Sequence, residues 1–542
     1  MTIILPIVLL CLLVSPARAQ FRDTVNKTTV TIERSRVGEM VKTDSGEITK
    51  VLWDVIIRHG NDFLYCDSAY VDLQKQNLQA FGSVKIVQPG GTEGTCDYLR
   101  YQGSRKLAFM QGNVGLTDGK SNLWCEELTY DLNTKIGIYK KNGTLQNEGT
   151  VVSSREGIYN LKSKDSRFTG NVTITDPEYN VVSEDIAYNT ETKVSRYYAY
   201  SVVTTDKSVL ITSNGTYDAT RKIGHFEGRS SIQNESQYIE GDTLDYNKVT
   251  GFGKAVGDVV ALDTAQHTTL YCGIATYNEI TGKTKAWIKP VMKRANGQDS
   301  LFIRADTFFG APVPKPEDTI KVARVRYDTK KVKITEMVSV ADSLAGADSS
   351  RKRYFIAYHN VKIFSDSLQG RCDSLSYSQE DSLMRMMYSP VAWSRKSQIT
   401  GDTILLKQSD SNKLKWLYVP NNAFVASLAG PDSAEIYDQI QGRTLTANFN
   451  DSVITDMVVQ PSAESIYFSK DDGGAYIGVN QGKGEKMFIY FGGEKIQRIK
   501  YEEDVTQTMT PLDKVTDFNS LRLSRFKWRE EERPKSKEEL FN

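Results

Sequence analysis

SNLWCEELTYD, residues 121–131, places Cys125 five residues before Tyr130 in a run that reads as a β-strand. The spacing recurs in TCDYLRYQG (95–103), LYCGIATYN (270–278) and GRCDSLSYS (370–378), as Cys96 with Tyr101, Cys272 with Tyr277 and Cys372 with Tyr377. Around it runs a longer period. Tyrosines stand at 101, 130, 159, 188, 217 and 246, each 29 residues after the last. A second landmark keeps step: FGSVKI (81–86), QGNVGL (111–116), TGNVTI (169–174) and VGDVVAL (256–262). Turn-like links such as DLNTK (131–135) and NTETK (189–193) separate the two, so each unit predicts one hairpin.

The content of each slot predicts the architecture. Five before the tyrosine slot stand Cys66, Cys96, Cys125, Ser154, Ser183, Thr212, Gly241 and Cys272, all small. Seven before it stand Leu64, Gly94, Leu123, Val152, Val181, Leu210, Ile239 and Leu270, aliphatic but for Gly94. Two before it come Ala69, Leu99, Leu128, Gly157, Ile186, Gly215, Leu244 and Ala275. Strict alternation would put these pairs of slots on opposite faces, yet both look interior. One extra residue between them, a β-bulge four or three before the tyrosine, restores the facing and bends every strand at the same place. The expectation is all-β: a repeat-built antiparallel β-jellyroll ladder, V-shaped and open along one side. Sixteen strands would give a trough roughly 75 Å long.

Its candidate lining is Leu123, Leu128, Tyr130, Val181, Ile186, Tyr188, Leu210, Ile239, Leu244 and Tyr246. The cysteines serve as small fillers in this reading. Equivalent positions in successive hairpins lie about 9.5 Å apart, too far for a disulfide, whose Cα atoms need about 7 Å or less. The mostly acidic series Asp67, Asp97, Glu126, Arg155, Glu184, Ser213 and Asp242 reads as a solvated edge or a stabiliser of the bend.

Composition narrows the function classes. Among 542 residues, 68 basic and 67 acidic side chains are well mixed, against the concentrated basic surface nucleic acid needs. Four scattered histidines offer no metal-ligand spacing, and no cofactor is implied. The apolar run Ile3–Val14 followed by Ala17-Arg18-Ala19 predicts a signal peptide over 1–19 and a secreted chain, periplasmic or outer-membrane associated.

The motifs CDSAYVDLQKQNLQAFGSVKI (66–86), WCEELTYD (124–131) and SEDIAYN (183–189) with GNVTI (170–174) resemble the OstA-like family. That family includes the lipopolysaccharide-transport protein LptA and the amino-terminal domain of the translocon LptD. The resemblance implies a jellyroll whose open groove holds acyl chains and which stacks on partners of the same fold; it implies no catalytic residue. Lys141-Asn142-Gly143 and Tyr200-Ser201-Val202 depart from the Gly-Asn-Val pattern.

Domain boundaries follow from composition: a lead-in at 20–50, the main ladder at 51–310, a linker and polar loop at 311–350, a second, smaller OstA-like ladder at 351–500 and a charged, partly helical tail at 501–542. Partners implied are lipopolysaccharide or a related lipid, other jellyroll-type envelope transport proteins by edge-strand stacking, and an outer-membrane translocon. Two other readings compete: a structural envelope scaffold with a filled core, and a polysaccharide-active enzyme on a repetitive β scaffold. An enzyme would hold its carboxylates at one special place, whereas these acids recur in register.

Overall fold

Gly112 and Asn113 both take positive φ, 74° and 45°, and so force a kink that no regular strand permits. The pair recurs at Gly82-Ser83, Gly170-Asn171, Gly228-Arg229 and Gly257-Asp258. In the computed structural model these pairs fall inside long antiparallel strands and bend each of them. The structure describes residues 29–542 apart from 45, 297–298, 315–318, 328–332, 342–350, 410–412, 431–434, 452, 472 and 494. The predicted signal peptide lies outside the described residues.

The phase of burial jumps on the tyrosine strand where the sequence places it. In Glu93–Gln102, Cys96 and Leu99 are both buried, three residues apart. The extra residue, however, belongs to the neighbouring strand. Val84 opposes Cys96 and Phe81 opposes Tyr98, so Gly82 and Ser83 together face Asp97 alone. This corrects the expected position of the bulge by one strand. Three carboxylates four before the tyrosine slot then lie against the next kink: a methyl group on Gly112 would sit 2.6 Å from Asp97 Oδ2, and ones on Gly82 and Gly257 would press on Asp67 and Asp242. Asn113 Nδ2 donates to Asp97 at 2.8 Å. The acidic series braces the bend.

Contacts divide the chain into a first unit ending at Leu145 and a second from Gln146 to Asn542. In the first, Gly46–His59 pairs with Val30–Arg34 and Val37–Thr43 on one edge and with Asp62–Asp72 on the other. Asn77–Val87, Glu93–Gln102, Leu107–Thr117 and Ser121–Asp131 follow in antiparallel order. The two arms of the bent strands form facing walls: a methyl group on Gly94, in one arm, would lie 3.1 Å from the terminal carbon of Met110 in the other.

The second unit repeats the scheme from Asp165–Thr175 and Asn180–Asn189 through Thr268–Asn278. Strands on either side of the predicted linker pair directly, Thr307–Pro312 with Arg353–Phe364, while Thr319–Tyr327 and Lys333–Ala341 pair with each other. The ladder runs on to Thr506–Pro511. Leu406 stands opposite Met384, which stands opposite Tyr377, and so continues the tyrosine row. No α-helix occurs among the described residues; the helical part of the tail is 3₁₀ turns such as Leu512–Lys514 and Glu538–Leu540.

Candidate functional site: an apolar window in the ladder

Where the two walls end, the tyrosine hydroxyls reach across the seam. In the first unit His59 Nδ1 and Tyr101 Oη are 2.7 Å apart, and Tyr130 donates to Gln88 Oε1 at 2.8 Å. Lys135 Nζ and Asp62 tie the same glutamine, at 2.7 and 3.1 Å. These latches close the seam over a filled interior: Leu123, Leu128 and Tyr130 are at most 2 % exposed. A narrow cleft remains beside Ile57, Leu64, Leu78, Ile86 and Tyr101.

The second unit begins latched in the same way. The Tyr188 hydroxyl bonds to Thr150, whose own hydroxyl donates to Asp176 at 2.7 Å. Tyr179 meets Tyr217 edge-on, ring centroids 6.3 Å apart. Val181, Ile186 and Tyr188 are sealed beneath.

The latching then stops. Tyr246 donates instead to Glu279 Oε2, 2.9 Å away in a turn of its own wall. The opposite rim, Thr205–Ser208, is closed on itself by the Thr205 and Ser208 hydroxyls. Without a latch the interior opens. One wall presents a cross-strand row, Leu210, Ile232, Ile239, Ala261, Leu270 and Met292, every member half-buried. Six strands spaced at 4.8 Å make that row about 24 Å long. The other wall carries Tyr217, Tyr246 and Tyr277, separated by Gly224 and Gly253. Glycine beside each ring leaves gaps between the tyrosines.

The floor explains the width. Buried Ala255, Ala275 and Ala286 lie across three strands in the row where the closed segment carries Phe168, Ile186 and Tyr197. Smaller side chains on the floor take up less of the space between the walls. The window ends where the walls touch again: the Arg294 guanidinium lies 5.7 Å from the Tyr377 ring centroid, and Gln379 Nε2 reaches Gln266 Oε1 at 3.5 Å.

The titratable groups inside are held in their neutral forms. Burial pushes the phenols of Tyr217, Tyr246 and Tyr277 above their ordinary range, and Glu279 adds to it at Tyr246. Burial also lifts the Cys272 thiol from 9.0 to about 12. Among the described residues no cluster of His, Cys, Asp or Glu has the makings of a metal site. An apolar lining of this kind matches what an apolar ligand needs.

The ten predicted lining residues therefore divide. Leu210, Ile239 and Tyr246 face the window over the buried floor residue Leu244, whereas Leu123, Leu128, Tyr130, Val181, Ile186 and Tyr188 are closed core. Ile232, Ala261, Leu270, Met292, Tyr217 and Tyr277 complete the window and were not among the candidates, although Leu270, Tyr217 and Tyr277 occupy the right slots of the repeat. The small-residue ladder lies at the bend. Cys66, Cys96, Ser154, Ser183, Gly241 and Cys272 are buried and Cys125 is half-buried, with Val or Ser opposite. All five described cysteines are free.

Residues 27–184 match the family described as OstA-like protein. No curated protein matches the chain. Among solved structures, LptH, the LptA-homologous periplasmic component of the conserved lipopolysaccharide transport device from Pseudomonas aeruginosa, is 15 % identical with a TM-score of 0.21, covering 27 % of this chain and 95 % of its own. Over residues 27–184, then, the chain is similar to the OstA-like family.

Proposed function

We propose that the protein is a non-enzymatic periplasmic carrier that holds acyl chains of lipopolysaccharide, or of a related lipid, during transport to the outer membrane. The observation that carries this reading is the unlatched apolar row from Leu210 to Met292 opposite the spaced tyrosines. Each methylene removed from water is worth roughly 0.8 kcal/mol, so a chain of a dozen gains on the order of 10 kcal/mol. A trough uniform along its length lets the chain slide with little net change in burial.

Partners of the same jellyroll type would join at free sheet edges. Val37–Thr43 supports this, an edge strand with every residue exposed. A translocon in the outer membrane is the fitting acceptor, with the ladder at 351–500 extending the first towards it.

The latched, filled interior of the first unit favours a second reading, a structural envelope scaffold. Mass spectrometry of the protein purified without detergent separates the two. The carrier reading expects lipid to co-purify with the wild type and to be lost in Ile239→Glu. Absence of lipid from the wild type, even after incubation with lipopolysaccharide, supports the scaffold.

A further inference from the structure

Most strands of a two-walled ladder bury one face and leave the other in water, but part of the second unit buries both. Val391, Ala392 and Trp393 are all enclosed, as are Phe424, Val425 and Ala426. The outward row across these strands reads Gln369, Trp393, Gln398, Ala426, Gln439 and Ile466, in direct register, and no member exceeds 6 % exposure. Residues 521–542 cover it.

The contacts are those of a ligand on a site. Gln439 donates Nε2 to the Leu521 carbonyl and accepts the Leu523 amide at Oε1, both at 2.9 Å. Gln398 does the same for the Lys527 carbonyl and the Arg529 amide, both at 2.7 Å. Each glutamine thus reads the donor and the acceptor of a passing backbone, as a β-strand partner would, without regard to side chain. The strands beneath already pair with neighbours on both sides, so the segment completes no sheet. Anchors hold its two ends: Leu521 packs with Ile466, Phe468 and Val479, and Leu540 with Val291 and Phe302. Arg533 Nε donates to Gln369 between them, at 2.9 Å.

We propose that this outer wall is a binding site for an extended peptide, filled in the resting chain by its own residues 521–542 as a separable strap. The strap ends behind Val291 and Tyr271, whose neighbours Met292 and Leu270 line the window on the opposite face. Release of the strap frees the outer wall for another extended segment and unbraces the wall that lines the window.

The test uses the full chain with a protease site inserted between Thr516 and Asp517, both exposed. Cutting after folding leaves every residue present. A fluorescent peptide of residues 517–542 is then added to the nicked protein. The proposal expects saturable exchange of the resident strap, weakened at least ten-fold when Gln398→Leu and Gln439→Leu are combined. Circular dichroism of the exchanging protein should keep its β signal. Failure of the peptide to exchange, unfolding on loss of the strap, or equal affinity for the glutamine variant would each overturn it.

Discussion

Tyr246 donates its hydroxyl hydrogen bond to Glu279, a neighbour on its own wall, where Tyr130 of the first unit donates across the seam to Gln88. That change of partner is what parts the rims. The half-buried Ile239 lies in the open stretch, and Leu128, 2 % exposed, lies in the closed one. Ile239→Asp should therefore cost less than about 1 kcal/mol of stability, because solvent reaches the new charge, while weakening an acyl-chain probe at least ten-fold. Leu128→Asp buries an unpaired carboxylate and should cost about 4 kcal/mol or more. Denaturant unfolding beside probe titration reads both effects.

Gly112 is the sharpest structural position. Its φ of 74° disfavours any side chain, and a methyl group would press on Asp97 at 2.6 Å. Gly112→Ala should destabilise the first unit by about 1–3 kcal/mol. Adding Asp97→Ala removes the clash and should recover part of that loss, leaving the backbone strain. A double-mutant cycle by chemical denaturation measures the coupling.

Much of this geometry is written in the repeat. The interior must be filled at every hairpin, so the tyrosine and aliphatic slots recur at 29 residues, and the jump between Cys96 and Leu99 betrays the bend. Which strand holds the extra residue depends on cross-strand register, which Asp97 alone does not disclose. Openness depends on contacts between residues about forty apart, such as Tyr130 with Gln88. The substitution of Ala255, Ala275 and Ala286 for larger floor residues was the available signal. The strap was hidden because residues 501–542 read as a charged, partly helical tail, and nothing in the sequence marks Gln398 as its partner. The unbroken apolar runs Val391–Trp393 and Ala423–Ala426 were its trace, since a one-sided strand alternates.

Burial raises the thiols of Cys66, Cys96, Cys125, Cys272 and Cys372 from 9.0 to about 12. They should resist a thiol reagent at pH 8 in the folded protein and react fully once it is denatured. The raised folded value also fixes a pH dependence. Below pH 9 both states hold the proton; above it the unfolded chain ionises first, so stability should fall between pH 9 and 12. Denaturation midpoints across that range check it.

Asp438 carries a buried carboxyl lifted from 3.8 to about 6, burial outweighing the Phe468 amide at 2.8 Å and the Lys470 charge. Its stabilising share is whole below pH 3.8 and is lost as pH rises through 6. The shift of about two units corresponds to roughly 3 kcal/mol. Asp438→Asn keeps an acceptor for the Phe468 amide and should raise stability by about 1–3 kcal/mol at pH 8, with little change at pH 4. Unfolding at the two pH values tests the sign.

Lipid contact inside the window is the central claim, and site-specific photocrosslinking in cells tests it most directly. A photoreactive residue at Ile239 or Leu270 should yield adducts with lipopolysaccharide or a related lipid, identified by mass spectrometry, whereas one at the sealed Leu128 should not. Lipid adducts confined to outward-facing positions, with none at Ile239 or Leu270, would contradict the account.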